Sequence, residues 1–132
     1  MAAPRETLLA ANQAFYDAFD RRDVAALEAL WSSARPVSCI HPGWDVILGR
    51  DEVLASWRSI LTNPAAPHIQ CRDPYALLEG PLGAVICHEV LPDGVTVATN
   101  LFAEEAGVWR MVHHQAGPVM AAPGRRASAA LH

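Results

Sequence analysis

The sequence predicts an α+β fold in which three N-terminal helices pack in the concave face of a strongly curved antiparallel sheet. Apolar residues recur at three- and four-residue steps in the first half of the chain, which is typical of amphipathic helices. From Pro67 onward apolar and polar residues alternate instead, which is typical of strands. Short turns rich in Gly and Pro separate the alternating segments, so consecutive strands are expected to form hairpins. A single sheet of this length can bury its helix-facing side only by curling around the helices.

The three helices have recognisable start and stop signals. The first is predicted over residues 4–22, and Asp23 is placed to cap a second helix that Arg35-Pro36 ends. A third helix begins near Gly49 and stops at Asn63-Pro64. The predicted buried faces are Leu8, Ala11, Phe15 and Phe19 in the first helix, Val24, Leu27, Leu30 and Trp31 in the second, and Val53, Trp57, Ile60 and Leu61 in the third.

The alternating part of the chain predicts four strands, joined in sequence. They cover residues 69–78, 84–91, 95–102 and 108–116. Before the third helix, a β-branched stretch at 37–40 leads into His41-Pro42-Gly43-Trp44, where Pro and Gly favour a turn or loop. Residues 1–119 are predicted to form one domain, and the Pro/Gly-bearing segment 120–132 is predicted to be a disordered tail.

Composition narrows the function classes. The charged content of 18 % and the apolar content of 52 % favour a globular domain over a disordered chain. The formal net charge of −4, with fourteen acidic and ten basic residues, argues against a nucleic-acid partner. No apolar run reaches the ~18 residues of a membrane span and no signal-peptide pattern is visible, so a cytoplasmic protein with no membrane contact is expected. Three cysteines without a CxxC pair predict reduced thiols.

Three segments resemble one family. They are FYDAFDRRDVAALEALW at residues 15–31, HPGWDVILGRDEVLASW at 41–57, and GVWRMVHHQAGP at 107–118. Together they resemble the nuclear transport factor 2-like superfamily, in its SnoaL-like and ketosteroid-isomerase-like branch, over roughly residues 5–119. The resemblance implies the cone of helices and curved sheet also called cystatin-like. It leaves function open, because this fold carries isomerases, hydrolases, cyclases and non-catalytic binding or assembly domains.

His41 is the first candidate catalytic residue. The resemblance places His41-Pro42 where ketosteroid isomerases carry the carboxylate that acts as their general base. A histidine could still move protons there, because its ordinary pKa of about 6.5 suits work near neutral pH. The alternative is a histidine that only fixes the loop before Pro42, and the sequence leaves both open.

Steroid isomerase activity itself is not expected. In the resemblance, the tyrosine oxyanion donor corresponds to Phe15, two supporting tyrosines correspond to Trp31 and Trp57, and the acidic partner falls near Thr99 or Asn100. An enolate would then lack the donors that stabilise its charge. Tyr16 is not expected to replace the missing tyrosine, because adjacent helix positions point about 100° apart.

The aromatic side chains predict a small-molecule pocket. Phe15, Trp31 and Trp57 come from three helices and are expected to converge with Trp44 on an apolar cavity. Aromatic walls with a few polar groups are typical of small-molecule sites, so the expected ligand is small and apolar or aromatic. The alternative is that the tryptophans fill the cavity themselves as plain core.

The strands supply the remaining candidates. His114, with Arg110 as an anion partner, is expected on the pocket face of the last strand and His113 on the other face, although a bulge would reverse this. Asn100 and His88 are further predicted ligand-binding residues from the preceding strands.

No metal or cofactor is predicted. His41, His88 and one of His113 or His114 could meet around a metal, but no short ligand motif supports such a site. Cys39 is expected to point away from His41, which disfavours a Cys–His nucleophilic pair.

Two hypotheses follow. In the first, the protein is a small-molecule-binding homodimer, with His41 as proton acceptor in isomerase- or cyclase-type chemistry and His114 as a second catalytic residue. In the second, it is a non-catalytic ligand-binding or dimerisation module. In both, apolar residues on the outer sheet face predict a homodimer packed sheet to sheet.

Overall fold

Three helices form, as the sequence predicts, and all three precede the four long strands along the chain. A computed structural model describes residues 2–120, so the predicted tail at 120–132 lies outside the described residues except for Met120. The helices are α1 (Pro4–Asp20), α2 (Val24–Ala29) and α3 (Arg50–Leu61). Within residues 2–120, no helix has the length and apolar content that crossing a membrane requires.

The helix ends follow from local chemistry. Pro4 opens α1, where the missing N–H of proline costs nothing. The predicted cap of α2 is confirmed, since the Asp23 side chain accepts a hydrogen bond from the Ala26 N–H at 3.1 Å. However, α2 is shorter than predicted and ends at Ala29. The chain that follows runs beside the last strand, with the Met111 N–H donating to the Leu30 carbonyl at 2.8 Å and the Ser32 N–H donating to the Met111 carbonyl at 3.0 Å.

Within residues 2–120, six strands form one curved sheet, whereas the sequence predicts four. The two added strands are short, β1 (Ser38–Ile40) and β2 (Ile47–Leu48). The four long strands are β3 (Gln70–Glu79), β4 (Leu82–Leu91), β5 (Gly94–Glu105) and β6 (Val108–Pro118), close to the predicted ranges. Their order in the sheet is β2-β1-β6-β5-β4-β3. The long strands pair antiparallel in sequence, which confirms the predicted meander.

The expectation of a purely antiparallel sheet is wrong at one edge. β1 pairs parallel to β6, with Cys39 opposite His114 and Ile40 opposite Gln115. β1 can pair in parallel because β2, α3 and the strands β3 to β5 lie between it and β6 along the chain, which is enough for a crossover connection. This pairing brings the loop after β1, which begins at His41, beside the middle of β6.

A bulge controls which side chains of β6 face the helices. Leu101 pairs with His113 and Phe102 pairs with Met111, so Val112 is an extra residue in β6. Before the bulge the buried side chain is that of Met111, and after it the buried side chain is that of His114. The side chains of β6 that face the helices are therefore those of Trp109 and Met111 before Val112, and those of His114 and Ala116 after it.

Candidate functional site

A cavity of about 280 Å³ lies between α1, α3, the loop after β1 and the inner face of the sheet. Its walls are mostly aromatic: Phe15, Tyr16 and Phe19 come from α1, Trp57 from α3 and Trp44 from the loop. Its polar lining side chains are those of His41, Glu89, Thr96 and His114. The predicted pocket therefore exists, and the protein's tryptophans do not fill it.

Three of the four aromatic residues predicted for the pocket line it. Phe15 and Trp57 are buried and pack edge to face, with ring centroids 5.2 Å apart. Trp44 is half exposed at the edge of the cavity and lies 4.8 Å from the His41 ring. The prediction that Trp31 lines the pocket is wrong. Its side chain is 1 % exposed and lies outside the lining, and its backbone forms a β-bridge with Met111. The reason is the early end of α2, which sends Trp31 under β6 and into the core.

His41 is buried in the cavity wall. Its Nε2 lies 2.9 Å from Ser56 Oγ, whose own proton is donated to the Val53 carbonyl at 2.7 Å. Ser56 therefore accepts from His41, so the imidazole proton is on Nε2 and the lone pair is on Nδ1. Burial lowers the pKa of His41 to about 4. The side chain links the loop to α3 and is neutral at physiological pH.

His114 faces the cavity, as predicted, but the bulge changes its neighbours on that face. Its Nδ1 lies 2.6 Å from Asn100 Oδ1, an acceptor, so Nδ1 carries the proton and Nε2 carries the lone pair. Burial, with His41 and His113 close by, lowers the pKa of His114 to about 3. His113 lies on the opposite side of β6, 2.7 Å from Ser38 Oγ.

Arg110 and His88 are not brought to the cavity, and both placements are corrections. Arg110 precedes the bulge, so it is out of phase with His114, and its guanidinium donates to the Ala29 carbonyl at 2.6 Å. His88 is exposed, because the inward face of β4 is formed by Val85, Cys87 and Glu89. The three histidines considered for a metal are therefore not assembled. Within residues 2–120, no cluster of three potential metal ligands is found.

Asn100 is buried behind the cavity wall rather than in its lining. Its Nδ2 donates to Asn12 Oδ1 at 2.8 Å and to the Tyr16 hydroxyl at 3.1 Å, while its Oδ1 accepts from His114. The predicted inward orientation of Asn100 is thus correct. Its observed contacts are those of a residue that positions the groups in the wall.

Tyr16 and Glu89 are the site residues that sequence reasoning missed. The Tyr16 hydroxyl donates to Glu89 Oε2 at 2.7 Å, and Thr96 Oγ1, directly across the β4–β5 ladder, donates to Oε1 at 2.7 Å. Glu89 is only 4 % exposed. Burial and the adjacent Glu89 carboxylate raise the pKa of Tyr16 above its ordinary value, so the phenol keeps its proton and donates it. A directed chain of hydrogen bonds therefore runs from His114 through Asn100 and Tyr16 to Glu89.

Signals for both missed residues are present in the sequence. A helix that faces a core has a buried stripe at least ~100° wide, so Tyr16 can be buried beside Phe15 although the two side chains diverge. Both faces of β4 carry mostly apolar residues, so the sequence does not show which face points to the helices. Glu89 shares a face with Val85 and Cys87, and it lies opposite a threonine that can satisfy it.

Cys39 is a further correction. Residues two apart in a strand share a face, so Cys39 and His41 point the same way, with Sγ 3.7 Å from His41 Nε2. Burial raises the pKa of the Cys39 thiol to about 12. A protonated thiol beside a neutral imidazole is not an activated nucleophile.

The polar groups of the cavity act mainly as acceptors. His41 and His114 each offer one imidazole lone pair, and Glu89 offers carboxylate oxygens. The hydroxyl protons of Tyr16 and Thr96 are already donated to Glu89. Such a site can accept hydrogen bonds or a proton from a ligand, but it lacks the hydroxyl donors that stabilise a developing oxyanion.

Fold and site define a class of protein, and comparison with known families agrees. The family model for the SnoaL-like domain matches residues 8–122, so the chain belongs to the SnoaL-like domain family of the nuclear transport factor 2-like superfamily. One curated relative, the F-box protein SKIP8 of Arabidopsis thaliana, is 24 % identical over 120 residues, which are 89 % of this chain and 52 % of that protein. The chain thus spans about half the length of that relative.

Solved structures show the same fold. A candidate dehydratase of the NTF2-like family from Streptomyces avermitilis is 33 % identical with a TM-score of 0.81, covering 88 % of this chain and 96 % of that one. A candidate calcium/calmodulin-dependent protein kinase type II association domain from Thiobacillus denitrificans is 32 % identical with a TM-score of 0.77, covering 86 % and 96 %. A protein of unknown function from Nostoc punctiforme, described as cystatin-like, is 12 % identical with a TM-score of 0.76, covering 92 % and 95 %.

The two neutral histidines predict a pH-dependent stability. The pKa values of His41 and His114 are lower in the folded state than the ordinary 6.5, so between pH 6.5 and about 4 the unfolded chain binds protons that the folded chain does not. The free energy of unfolding should therefore fall as pH falls from 7 to 5, by about 1.4 kcal/mol per pH unit below 6.5 from each group. Urea titrations at each pH measure it. His114→Gln should reduce the slope and the exposed His68→Gln should not, whereas a flat wild-type profile contradicts the assignment.

Tyr16→Phe should destabilise the protein. The substitution removes the hydroxyl donor to a buried carboxylate and the acceptor for Asn100, which costs about 1.5–3 kcal/mol. Tyr75→Phe is the matched control, because Tyr75 is 62 % exposed and its substitution should change the free energy of unfolding by less than about 0.5 kcal/mol. Denaturant unfolding of both variants checks this, and equal effects would show that the Tyr16–Glu89 bond does not form.

Proposed function

We propose that the protein binds a small, largely apolar molecule in the aromatic cavity and holds its polar group against the lone pairs of the cavity wall. The single observation that carries the proposal is the cavity of about 280 Å³ with aromatic walls and two neutral imidazoles. Its mainly apolar lining, with a few polar groups, is the usual composition of a small-molecule site. The SnoaL-like family supports this function, because its fold surrounds such a pocket.

A catalytic function is the second candidate, and the protonation state of His41 favours it. Burial keeps His41 unprotonated at neutral pH, so its Nδ1 is available to accept a proton from a bound carbon acid or hydroxyl. The candidate dehydratase at 33 % identity supports proton-transfer chemistry of this kind. His114 would then be the second acceptor, oriented by Asn100. The alternative of a non-catalytic binding module requires the same cavity without turnover.

Filling the cavity should abolish binding. Leu91 lines the cavity, and Leu91→Trp adds volume there, whereas Leu48 is 68 % exposed on β2 and Leu48→Trp adds the same volume elsewhere. Calorimetric titration with indole should show binding to wild type and to Leu48→Trp. Leu91→Trp should bind at least about tenfold more weakly, because a drug-sized ligand needs burial of most of its surface. No heat of binding with wild-type protein, at indole concentrations up to its solubility, would argue against an open aromatic site.

Proton abstraction can be measured without the natural substrate. The α-protons of 2-tetralone exchange with deuterium in D₂O, and the wild-type protein should accelerate this exchange above buffer. His41→Gln should lose roughly 10²-fold of the acceleration, as expected for removal of a general base, while the exposed His68→Gln should retain it. The acceleration should stay constant from pH 8 to about 5.5 and fall near pH 4, where His41 becomes protonated. Binding of 2-tetralone without any acceleration would favour the non-catalytic module.

We further propose that the outer face of the sheet forms a homodimer. Several apolar side chains are exposed there, among them Leu77, Ile86, Val97 and Leu101. Contiguous apolar surface of this kind is typical of a partner surface, and one patch that packs on its own copy gives a closed two-fold dimer. His88 and His113 lie at the same face, outside the cavity.

A charge on that face should dissociate the dimer. Leu101→Arg puts an unpaired charge at the centre of the proposed interface, and Leu48→Arg places the same change on the exposed short strand β2. Sedimentation velocity should give a dimer for wild type and for Leu48→Arg and a monomer for Leu101→Arg. A wild-type monomer at tens of micromolar would rule out the interface.

A further inference from the structure

Glu89 is a buried carboxylate, and none of the arginines within the described residues forms an ion pair with it. It is 4 % exposed, and the ion pairs among residues 2–120 do not include it. Each of its oxygens accepts one hydroxyl bond at 2.7 Å, from Tyr16 or Thr96, an arrangement that suits the ionised, acceptor-only form. Burial of a charge is costly unless the charge is paired. The carboxylate is therefore stabilised by two neutral donors and has no counter-ion in the part of the chain that the structure describes.

Among residues 2–120, no arginine is placed to supply that counter-ion. Arg22 contacts the cavity wall, with its guanidinium 5.1 Å from the centroid of the Phe19 ring. Its nitrogen atoms donate to the carbonyls of Phe19, Ala66 and Pro67 instead. Both imidazoles of the wall are neutral because burial lowers their pKa. The polar groups of the cavity thus have a net charge of −1.

The hydrogen-bonding pattern points in the same direction. The hydroxyl donors in the lining, Tyr16 and Thr96, are both committed to Glu89. Two indole N–H groups remain: that of Trp57 is sealed in the wall without a partner, and Trp44 is half exposed at the cavity edge. A ligand that enters meets mostly acceptors, so its own polar group must be a donor.

The surroundings also favour positive charge. Tyr16, Phe19 and Trp57 line the cavity, and the faces of aromatic rings attract cations. A second cleft of about 470 Å³ shares Tyr16, Ile69 and Leu91 with the cavity and carries the carboxylates of Asp17 and Asp20 on its wall. A cation that approaches from this side is attracted before it reaches Glu89.

We infer that the ligand of this cavity is an organic cation, an apolar or aromatic molecule with a protonated amine that forms an ion pair with Glu89. This inference rests on the proposed binding function and specifies the chemical class of the ligand. The ammonium group supplies the missing counter-ion and donates to carboxylate oxygens, while the apolar body occupies the aromatic part of the cavity. A neutral alcohol satisfies the hydrogen bond but leaves the buried charge unpaired.

Three indole compounds of similar shape test the inference on the wild-type protein. Tryptamine carries an ammonium group, tryptophol a hydroxyl group in the same place, and indole-3-acetate a carboxylate. Calorimetry at pH 7 and low salt should show tryptamine binding at least about tenfold more tightly than tryptophol, and indole-3-acetate binding more weakly than both. Equal affinity for tryptamine and tryptophol, or a preference for the acid, overturns the inference while leaving the cavity as a binding site. If none of the three binds, the proposed function itself fails.

A variant assigns the selectivity to Glu89. Glu89→Gln removes the charge and keeps the size, so the tryptamine preference should disappear while tryptophol affinity changes less than about threefold. Glu104→Gln is the matched control, because Glu104 is exposed on β5, and it should keep the full preference. Persistence of the preference in a folded Glu89→Gln protein overturns the assignment. If Glu89→Gln does not fold, the wild-type series alone decides between amine and alcohol.

Discussion

The buried amide of Asn100 is the group on which the site depends. It accepts from His114, donates to Tyr16 and donates to Asn12, so one side chain of β5 links β6 to two positions of α1. An amide has one acceptor oxygen and one donor nitrogen, so these partners fix its orientation. That orientation determines the proton position on His114 and the direction of the Tyr16 hydroxyl. Loss of any partner would leave a buried polar group unsatisfied, at a cost of about 1–3 kcal/mol.

The two ends of the cavity differ in charge: one end holds two neutral imidazoles and the other holds the Glu89 carboxylate. At one end, burial lowers the pKa of both imidazoles, so His41 and His114 stay neutral and offer lone pairs. At the other end, two hydroxyl donors stabilise the Glu89 carboxylate without neutralising it. The fold thus encloses acceptors of two strengths around an aromatic space. Because both hydroxyl protons are donated to Glu89, no hydroxyl group of the lining is free to stabilise an oxyanion. For the same reason we infer that the cavity binds ligands whose polar group is a hydrogen-bond donor.

The sequence predicts most of the fold, because helical and strand periods, the Asp23 cap and the Gly-containing turns are local signals. It predicts the inward histidine of β6 and the aromatic wall for the same reason. The bulge at Val112 is not a local signal, since it depends on how β5 pairs with β6. For this reason the sequence wrongly predicts Arg110 on the same face as His114. The inward face of β4, and with it Glu89, is set by packing against α1, and the two apolar faces of that strand look alike in sequence.

The protonation of His114 tests the central claim most directly. Two-dimensional ¹H–¹⁵N NMR on the imidazole nitrogens distinguishes the two neutral tautomers from imidazolium. The account predicts a protonated Nδ1 and an unprotonated Nε2 for His114, unchanged from pH 8 to pH 5, because Asn100 accepts from Nδ1 and burial opposes a second proton. A proton on Nε2 instead, or titration of His114 near its ordinary pKa of about 6.5, would contradict it.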